Sequence, residues 1–122
     1  MAKVESHRDL IVWQKALRLA VEIYRLSAMF PRTEEYRLTA QITRAAASVP
    51  ANIAEGHARG TRRDYANFLA IAKGSLAETE TFLLLALELK FTTSDSANVA
   101  LDLIQEVGRM LTALRIRLVQ AP

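Results

Sequence analysis

The sequence predicts an all-α protein, an antiparallel up-down-up-down bundle of four helices in one domain spanning residues 1–122. Apolar residues recur every three or four positions along most of the chain, which is the period of a helix buried on one face. No segment alternates apolar and polar residues as a strand does, and neither Asn-Gly nor Asp-Gly, the common hairpin turns, occurs. Short polar connections separate the apolar stretches, so consecutive helices should run in opposite directions.

The first helix is expected over residues 10–29. Phe30-Pro31 ends it, because helical geometry is disfavoured for the residue before a proline. One apolar stripe of this helix would face the bundle core, and a second stripe, which includes Trp13, Leu17 and Tyr24, would lie beside the first. In a single bundle that second stripe would stay exposed to water.

The second helix is expected over residues 34–58, with Thr33 as its N-cap. Pro50 lies inside the helical period, where it removes one N–H group and crowds the carbonyl group of Ala46, at a cost of about 3 kcal/mol. We therefore expect this helix to be bent at Pro50. A polar stripe on the same helix is either a solvent face or a hydrogen-bonded seam that holds the bend. The stripe consists of Gln41, Arg44, Ser48, Asn52 and Glu55.

The third helix is expected over residues 62–90 and the fourth over residues 95–119. Thr61 should cap the third helix, and Thr93 or Ser94 the fourth, because their hydroxyl groups accept hydrogen bonds from free N–H groups. The third helix also has apolar residues beside its core stripe. Surplus apolar surface on two helices predicts a homo-oligomer. The candidate interface residues are Trp13, Leu17, Tyr24, Ile71, Phe82 and Leu85.

The composition is typical of a small globular protein. Hydrophobic residues make up 51% of the chain, which suffices for a core at this length. There is no cysteine, so disulfides and thiolate zinc sites are excluded. The N-terminus lacks the apolar core of a signal peptide, and the longest apolar run, residues 82–89, is too short to span a membrane. We expect a cytoplasmic protein without membrane association.

The sequence lacks motifs for catalysis and for metal binding. Di-iron bundles use Glu-x-x-His pairs, whereas Val4 and Ala54 occupy the positions three before His7 and His57. Neither a nucleophile elbow nor a phosphate-binding glycine loop occurs. We therefore expect a non-enzymatic protein that needs no cofactor and no metal.

Basic residues concentrate where the second helix meets the third, in a mildly basic chain of net charge +3. Lys73 shares a helix face with Arg62, because eleven residues make about three turns. In an oligomer these residues would repeat as a multivalent surface for RNA or DNA. The alternative is a solvated turn in which Glu55 pairs with Arg59. The candidate nucleic-acid-binding residues are Arg59, Arg62, Arg63, Lys73 and His57.

Four blocks of the sequence, taken in order, resemble a known protein family. They are residues 9–16, residues 41–46, residues 48–56 with the sequence Ser-Val-Pro-Ala-Asn-Ile-Ala-Glu-Gly, and residues 72–81. Together they resemble the bacterial four-helix bundle proteins of the 23S rRNA intervening-sequence type. The third block is the most specific of the four. The residues that match the family signature are Pro50, Asn52, Ile53, Ala54, Glu55, Gly56 and Arg59.

The resemblance implies a ring-like homopentamer and supplies no catalytic role for the signature residues. A related branch of the family resembles the accessory proteins of diversity-generating retroelements, which bind nucleic acid and a reverse transcriptase. We therefore expect a non-enzymatic homopentamer associated with RNA or DNA. The alternative is a protein-interaction scaffold or accessory subunit with no nucleic-acid role.

Overall fold

The computed structural model describes residues 4–120, and the regular elements in this part of the chain are all helical. They comprise α1 (Ile11–Ser27), α2 (Leu38–Ala58), α3 (Arg62–Glu88) and α4 (Ser94–Gln120). Short 3-10 helices, His7–Asp9 and Arg32–Glu34, precede α1 and α2. Each long helix packs against two others, in the order α1, α2, α3, α4 and back to α1. The predicted all-α four-helix bundle is confirmed.

Contacts between neighbouring helices show how α2, α3 and α4 are oriented. Ser48 of α2 contacts Ser75 of α3, while Gly56, further along α2, lies against Phe68, which comes earlier in α3. Residue numbers therefore rise along α2 as they fall along α3. The α3–α4 contacts follow the same rule, since Glu80 bonds to Gln105 and Ala66 bonds to Arg115. The full up-down-up-down order, the bend at Pro50 and the single domain over residues 1–122 stay predictions.

The core runs along the middle of the bundle, and every long helix contributes about one residue per turn to it. Its large side chains are almost completely withdrawn from water, and burial of each stabilises the fold by about 1.5–3 kcal/mol. Alanines fill the narrower places between the helices. The largest fully buried apolar side chains are Leu19, Ile23, Ile42, Val49, Ile53, Leu69, Leu83, Val107 and Leu111.

The second helix begins at Leu38 and not near residue 34, because residues 32–34 form a separate 3-10 turn. Thr33 lies within that turn, so the prediction that it caps α2 is wrong. Glu34 acts at this position instead. Its buried side chain accepts a hydrogen bond from the backbone N–H of Leu38 at 3.4 Å and lies 3.5 Å from the guanidinium group of Arg37. A carboxylate is favourable there because the helix N-terminus carries partial positive charge.

The other expected caps are present. Thr61 Oγ1 accepts a hydrogen bond from Asp64 N at 3.1 Å, and Thr93 Oγ1 accepts one from Ser96 N at 3.2 Å. At the end of α3, Lys90 adopts a left-handed conformation with φ of 62°, and Phe91 N donates to Ala86 O at 2.9 Å. This is the Schellman ending of a helix, and it directs the chain toward α4.

Gly56 marks the closest approach of α2 to α3. A Cβ atom at this position would lie 2.6 Å from Phe68 Cβ and 3.3 Å from the backbone oxygen of Tyr65. Neither neighbour is the end of a flexible side chain, so no small adjustment would make room. Gly74, in the middle of α3, is the opposite case, since nothing lies within 4 Å of the place where its Cβ would be. Of these two glycines, Gly56 therefore packs closely against the neighbouring helix and Gly74 does not.

We predict opposite effects of alanine at these two glycines. Gly56→Ala should lower the free energy of unfolding by about 1–3 kcal/mol, because the added methyl group overpacks the α2–α3 contact. Gly74→Ala should raise it by about 0.5–1 kcal/mol, because alanine loses less backbone entropy in an open helical position. Urea unfolding followed by circular dichroism measures both. Equal effects at the two positions would contradict the close contact at Gly56.

Candidate nucleic-acid interface

The junction between α2 and α3 is a tight turn that places its arginines close together. Gly60 has a φ of 84°, a left-handed conformation that favours glycine, and the Thr61 cap starts α3 immediately afterwards. Arg59, Arg62 and Arg63 are all exposed, and they lie within five residues of chain. The N-terminus of α3 lies within this cluster, and its helix dipole also favours anions. We call Arg59, Arg62 and Arg63 the junction cluster.

Arg59 is already engaged within the chain. Its guanidinium group lies 3.0 Å from a carboxylate oxygen of Glu55, and its central carbon lies 5.1 Å from the centre of the Phe68 ring. The paired turn foreseen for Glu55 and Arg59 is therefore present. Both side chains are about half exposed, and an exposed pair four residues apart in a helix contributes only about 0.3–0.5 kcal/mol. A phosphate group can therefore compete for Arg59, while Phe68 holds the guanidinium plane in place.

His57 has a packing role that the sequence did not indicate. Its ring meets the Tyr65 ring edge-on, with the centroids 5.6 Å apart and the planes at 88°. The imidazole is half-buried, so it presents less surface to a ligand than the arginines do. The Tyr65 hydroxyl is buried beside it and has no hydrogen-bond partner among residues 4–120. Burial raises the pKa of Tyr65, because the phenolate would lose its hydration.

Lys73 does not join the junction cluster. It is exposed on α3 roughly 16 Å along the helix axis from Arg62, where it lines a groove between α3 and α4. Sequence spacing correctly places Lys73 and Arg62 toward one side of the helix. Spacing alone could not show that the α4 side chains Arg109 and Arg115 line the groove with Lys73.

The polar stripe of α2 divides into two parts. Ser48 and Asn52 are half-buried and form a seam with α3, whereas Gln41, Arg44 and Glu55 are exposed. The hydroxyl groups of Ser48 and Ser75 are 2.9 Å apart, and Asn52 Nδ2 donates to both Oγ and O of Ser48 at 2.8 Å. A hydrogen-bonded seam and a solvent face therefore each occur in part of the stripe, and the bend that the seam was expected to hold stays a prediction.

The residues of the Pro-x-Asn-Ile-Ala-Glu-Gly block have identifiable packing roles. Ile53 is fully buried in the core, and Pro50 and Ala54 line a shallow apolar groove between α1 and α2. Asn52 belongs to the seam, and Gly56 allows the close approach of α3. Most of this block therefore builds the contacts of α2 on its two sides, and the Glu55 side chain pairs with Arg59 of the junction cluster.

The groove between α1 and α2 contains the apolar residues that the sequence assigned to an oligomer interface on α1. It has a volume of about 820 Å³, and its walls include Trp13, Leu17 and Tyr24. Leu17 and Tyr24 are 43% and 54% exposed, whereas Trp13 is partly buried and meets His7 edge-on. This groove is a substantial apolar surface that one copy of the described chain leaves open.

The three interface candidates on α3 differ in exposure. Ile71 and Leu85 are 51% and 45% exposed. Phe82 packs partly against the core and lines a small hollow between α2 and α3, so it belongs in part to the packing of a single chain.

The part of the chain that the structure describes has neither a metal-binding cluster nor a membrane-spanning helix. Among residues 4–120, no three His, Cys, Asp or Glu side chains come together in an arrangement that could hold a metal ion. No helix in the same range is long and apolar enough to cross a membrane.

The comparison with protein families is decisive for classification. The pattern of the family described as 23S rRNA-intervening sequence protein matches residues 8–113. The chain belongs to this family. A crystal structure of a protein of unknown function from Bacteroides thetaiotaomicron, assigned to the S23 ribosomal protein family, is similar to it. The two are 28% identical, with a TM-score of 0.79 over 86% of this chain and 98% of the other. None of the curated proteins matches the chain.

Membership of the 23S rRNA-intervening sequence protein family confirms the resemblance drawn from the four sequence blocks. Those blocks begin at residue 9 and end at residue 81, and the family match extends further, into α4. The contacts of Phe68 and Ser75 with α2 could not be foreseen from the sequence. The sequence indicated neither the close approach at Gly56 nor the residue on the other side.

We predict that Tyr65→Phe changes how stability depends on alkaline pH. The folded protein holds the Tyr65 proton more tightly than the unfolded chain does, so stability should fall as the pH rises above about 10. Tyr65→Phe should remove this part of the loss. It should also leave stability at pH 8 unchanged or up to about 1 kcal/mol higher, because the buried hydroxyl has no partner in the described chain.

Urea unfolding at pH 8 and pH 10.5 measures the difference between the variant and the original protein. Tyr36→Phe is the control, because Tyr36 is 89% exposed and should not alter the pH dependence. If Tyr65→Phe loses as much stability between pH 8 and pH 10.5 as the original protein does, burial of the Tyr65 hydroxyl is not the cause of that loss.

Proposed function

We propose that this protein is a non-enzymatic homo-oligomer that binds RNA or DNA through the junction cluster, repeated once in each subunit. The observation that carries the proposal is the grouping of three exposed arginines at a helix N-terminus. Arginine suits phosphate because its planar guanidinium group offers paired donors and keeps its charge. The family name supports the same class of ligand, since it refers to sequence that interrupts 23S rRNA.

Oligomerisation would raise the affinity for nucleic acid, which a single junction cluster would bind only weakly. Three arginines contact few phosphates, and a single cluster would release few counterions from a nucleic acid. Several copies held in one ring would act on the same strand, so that each further contact becomes intramolecular. A homopentamer, as expected from the family resemblance, would present fifteen such arginines.

The apolar groove between α1 and α2 supports assembly. Leu17 and Tyr24 lie on one face of the bundle, whereas Ile71 and Leu85 lie on α3. Because these two surfaces differ, a contact between them would be heterologous, and repeated heterologous contacts close into a ring when the rotation between subunits is a whole fraction of a turn. We infer that the α1–α2 groove of one subunit packs against α3 of the next.

We predict that Leu17→Asp dissociates the oligomer into monomers, because it places a charge in the apolar groove. Analytical ultracentrifugation at micromolar concentration measures the effect. Val99→Asp on α4 is a matched control, because Leu17 and Val99 are both 43% exposed and Val99 lies outside the groove. If the unmodified chain already sediments as a folded 13.6 kDa particle, the assembly proposal is wrong.

We also predict salt-sensitive binding of a single-stranded RNA of about 20 nucleotides. If three phosphates are neutralised, affinity should fall roughly 20-fold between 50 and 200 mM salt. Replacing Arg59, Arg62 and Arg63 together by alanine should remove most of the binding and flatten the salt dependence. Fluorescence anisotropy measures both.

The control for this experiment replaces Arg18, Arg32 and Arg44 by alanine. These arginines are also exposed, and the charge change is the same, but they lie outside the junction. Equal losses in the two triple variants would show that net charge, and not the junction cluster, drives binding. Unchanged binding in the junction variant would show that RNA binds elsewhere on the protein. No RNA binding by the original protein would favour the alternative, a protein-interaction scaffold without a nucleic-acid role.

A further inference from the structure

The groove between α3 and α4 shares no lining residue with the junction cluster or with the α1–α2 groove. It consists of two adjoining hollows of about 530 and 380 Å³, which share Lys73, Ala77, Thr112 and Ile116 and are therefore continuous. On α3 it extends from Ala70 to Glu80, which corresponds to about 15 Å or nearly three helical turns.

The floor of this groove is formed by small and apolar groups. Gly74 has open space where a Cβ would lie, and Gly108 lies against Leu76. Ile116 is 48% exposed and adds apolar surface at the α4 wall. Small residues let the backbone of another helix approach closely, and the apolar surface gives such a contact a hydrophobic component. The other small residues of the groove are Ala70, Ala77 and Ala113.

The rim of the groove is cationic. Lys73 on α3 and Arg109 and Arg115 on α4 are exposed, and none of the three has a carboxylate partner within residues 4–120. Arg115 is held in position because its Nε donates to Ala66 O at 3.3 Å. The acidic side chain in the lining is Glu80, at one end of the groove, where its carboxylate accepts a hydrogen bond from Gln105 at 3.0 Å. Three cations against one engaged acid leave the rim with unmatched positive charge.

We propose that the α3–α4 groove binds an amphipathic helix of a partner protein whose apolar face is flanked by acidic residues. The apolar floor would bury the small and apolar residues of that helix, and the cationic rim would face its carboxylates. A nucleic-acid strand is a poorer match, because no aromatic side chain lines the groove for base stacking and most of its lining is apolar. This proposal does not depend on nucleic-acid binding at the junction cluster.

The test uses a fluorescent helical peptide of about 18 residues, with Leu and Ala on one face and Glu along both edges. Binding to the full chain is followed by anisotropy. A peptide with Lys in place of Glu is the matched probe, and it should bind at least tenfold more weakly. Arg109→Glu should weaken binding of the acidic peptide at least tenfold, whereas Arg18→Glu, outside the groove, should leave it within twofold.

Gly74→Leu provides a second variant that fills the groove without changing its charge. Because nothing lies within 4 Å of the missing Cβ, this substitution should not disturb the fold, and it should weaken peptide binding at least tenfold. The four glycines of the chain provide a direct map when they are labelled with ¹⁵N. The amide signals of Gly74 and Gly108 should shift on adding the peptide, while those of Gly56 and Gly60 should not.

The proposal is wrong if the acidic peptide does not bind at 100 µM or if the acidic and basic peptides bind equally well. It is also wrong if only the amide signals of Gly56 and Gly60 shift when the peptide is added. Loss of RNA binding in Gly74→Leu and Arg109→Glu, with no acidic-peptide binding in the original protein, would instead assign the groove to nucleic acid. The junction proposal is judged separately, by RNA binding of its own triple variant.

Discussion

The close approach of α2 and α3 is the constraint on which the other features depend. At Gly56 the two helices come so near that a single methyl group would collide with the first side-chain atom of Phe68. This contact lies two residues before the end of α2, so it fixes where the chain leaves that helix and where α3 begins. The same Phe68 ring supports the guanidinium group of Arg59. Packing inside the bundle therefore positions the charged surface outside it.

Hydrogen bonds between polar side chains also fix the position of α2 along α3. Apolar packing tolerates small displacements along a helix, whereas the hydrogen bond between Ser48 of α2 and Ser75 of α3 has a short, defined length. Asn52 holds the Ser48 hydroxyl from within α2. Half-buried hydroxyl groups that lost their partners would cost about 1–3 kcal/mol each, so a shifted register is penalised. The seam and the Gly56 contact together explain why the Pro-x-Asn-Ile-Ala-Glu-Gly block is rich in small and polar residues.

The outer surface of the bundle divides into regions of different chemistry. The groove between α1 and α2 is apolar, the junction cluster is cationic, and the groove between α3 and α4 combines an apolar floor with a cationic rim. Four helices arranged in a ring of contacts give each pair its own outward face, so one small bundle can present several separate surfaces. This separation allows assembly, nucleic-acid binding and partner binding to be proposed for different faces and tested independently.

The sequence by itself determined the fold class, the family, three of the helix caps or ends and the exposure of the arginines at the junction. These features depend on local periodicity, on capping and on a contiguous motif, which neighbouring residues specify. Only the tertiary structure decided that Gly56 meets Phe68, that Ser48 and Asn52 leave the solvent face, and that Lys73 lies with Arg109 and not with Arg59. Each of these depends on the rotation and register of one helix against another. Many side chains, distant in sequence, set that geometry together, so no local pattern contains it.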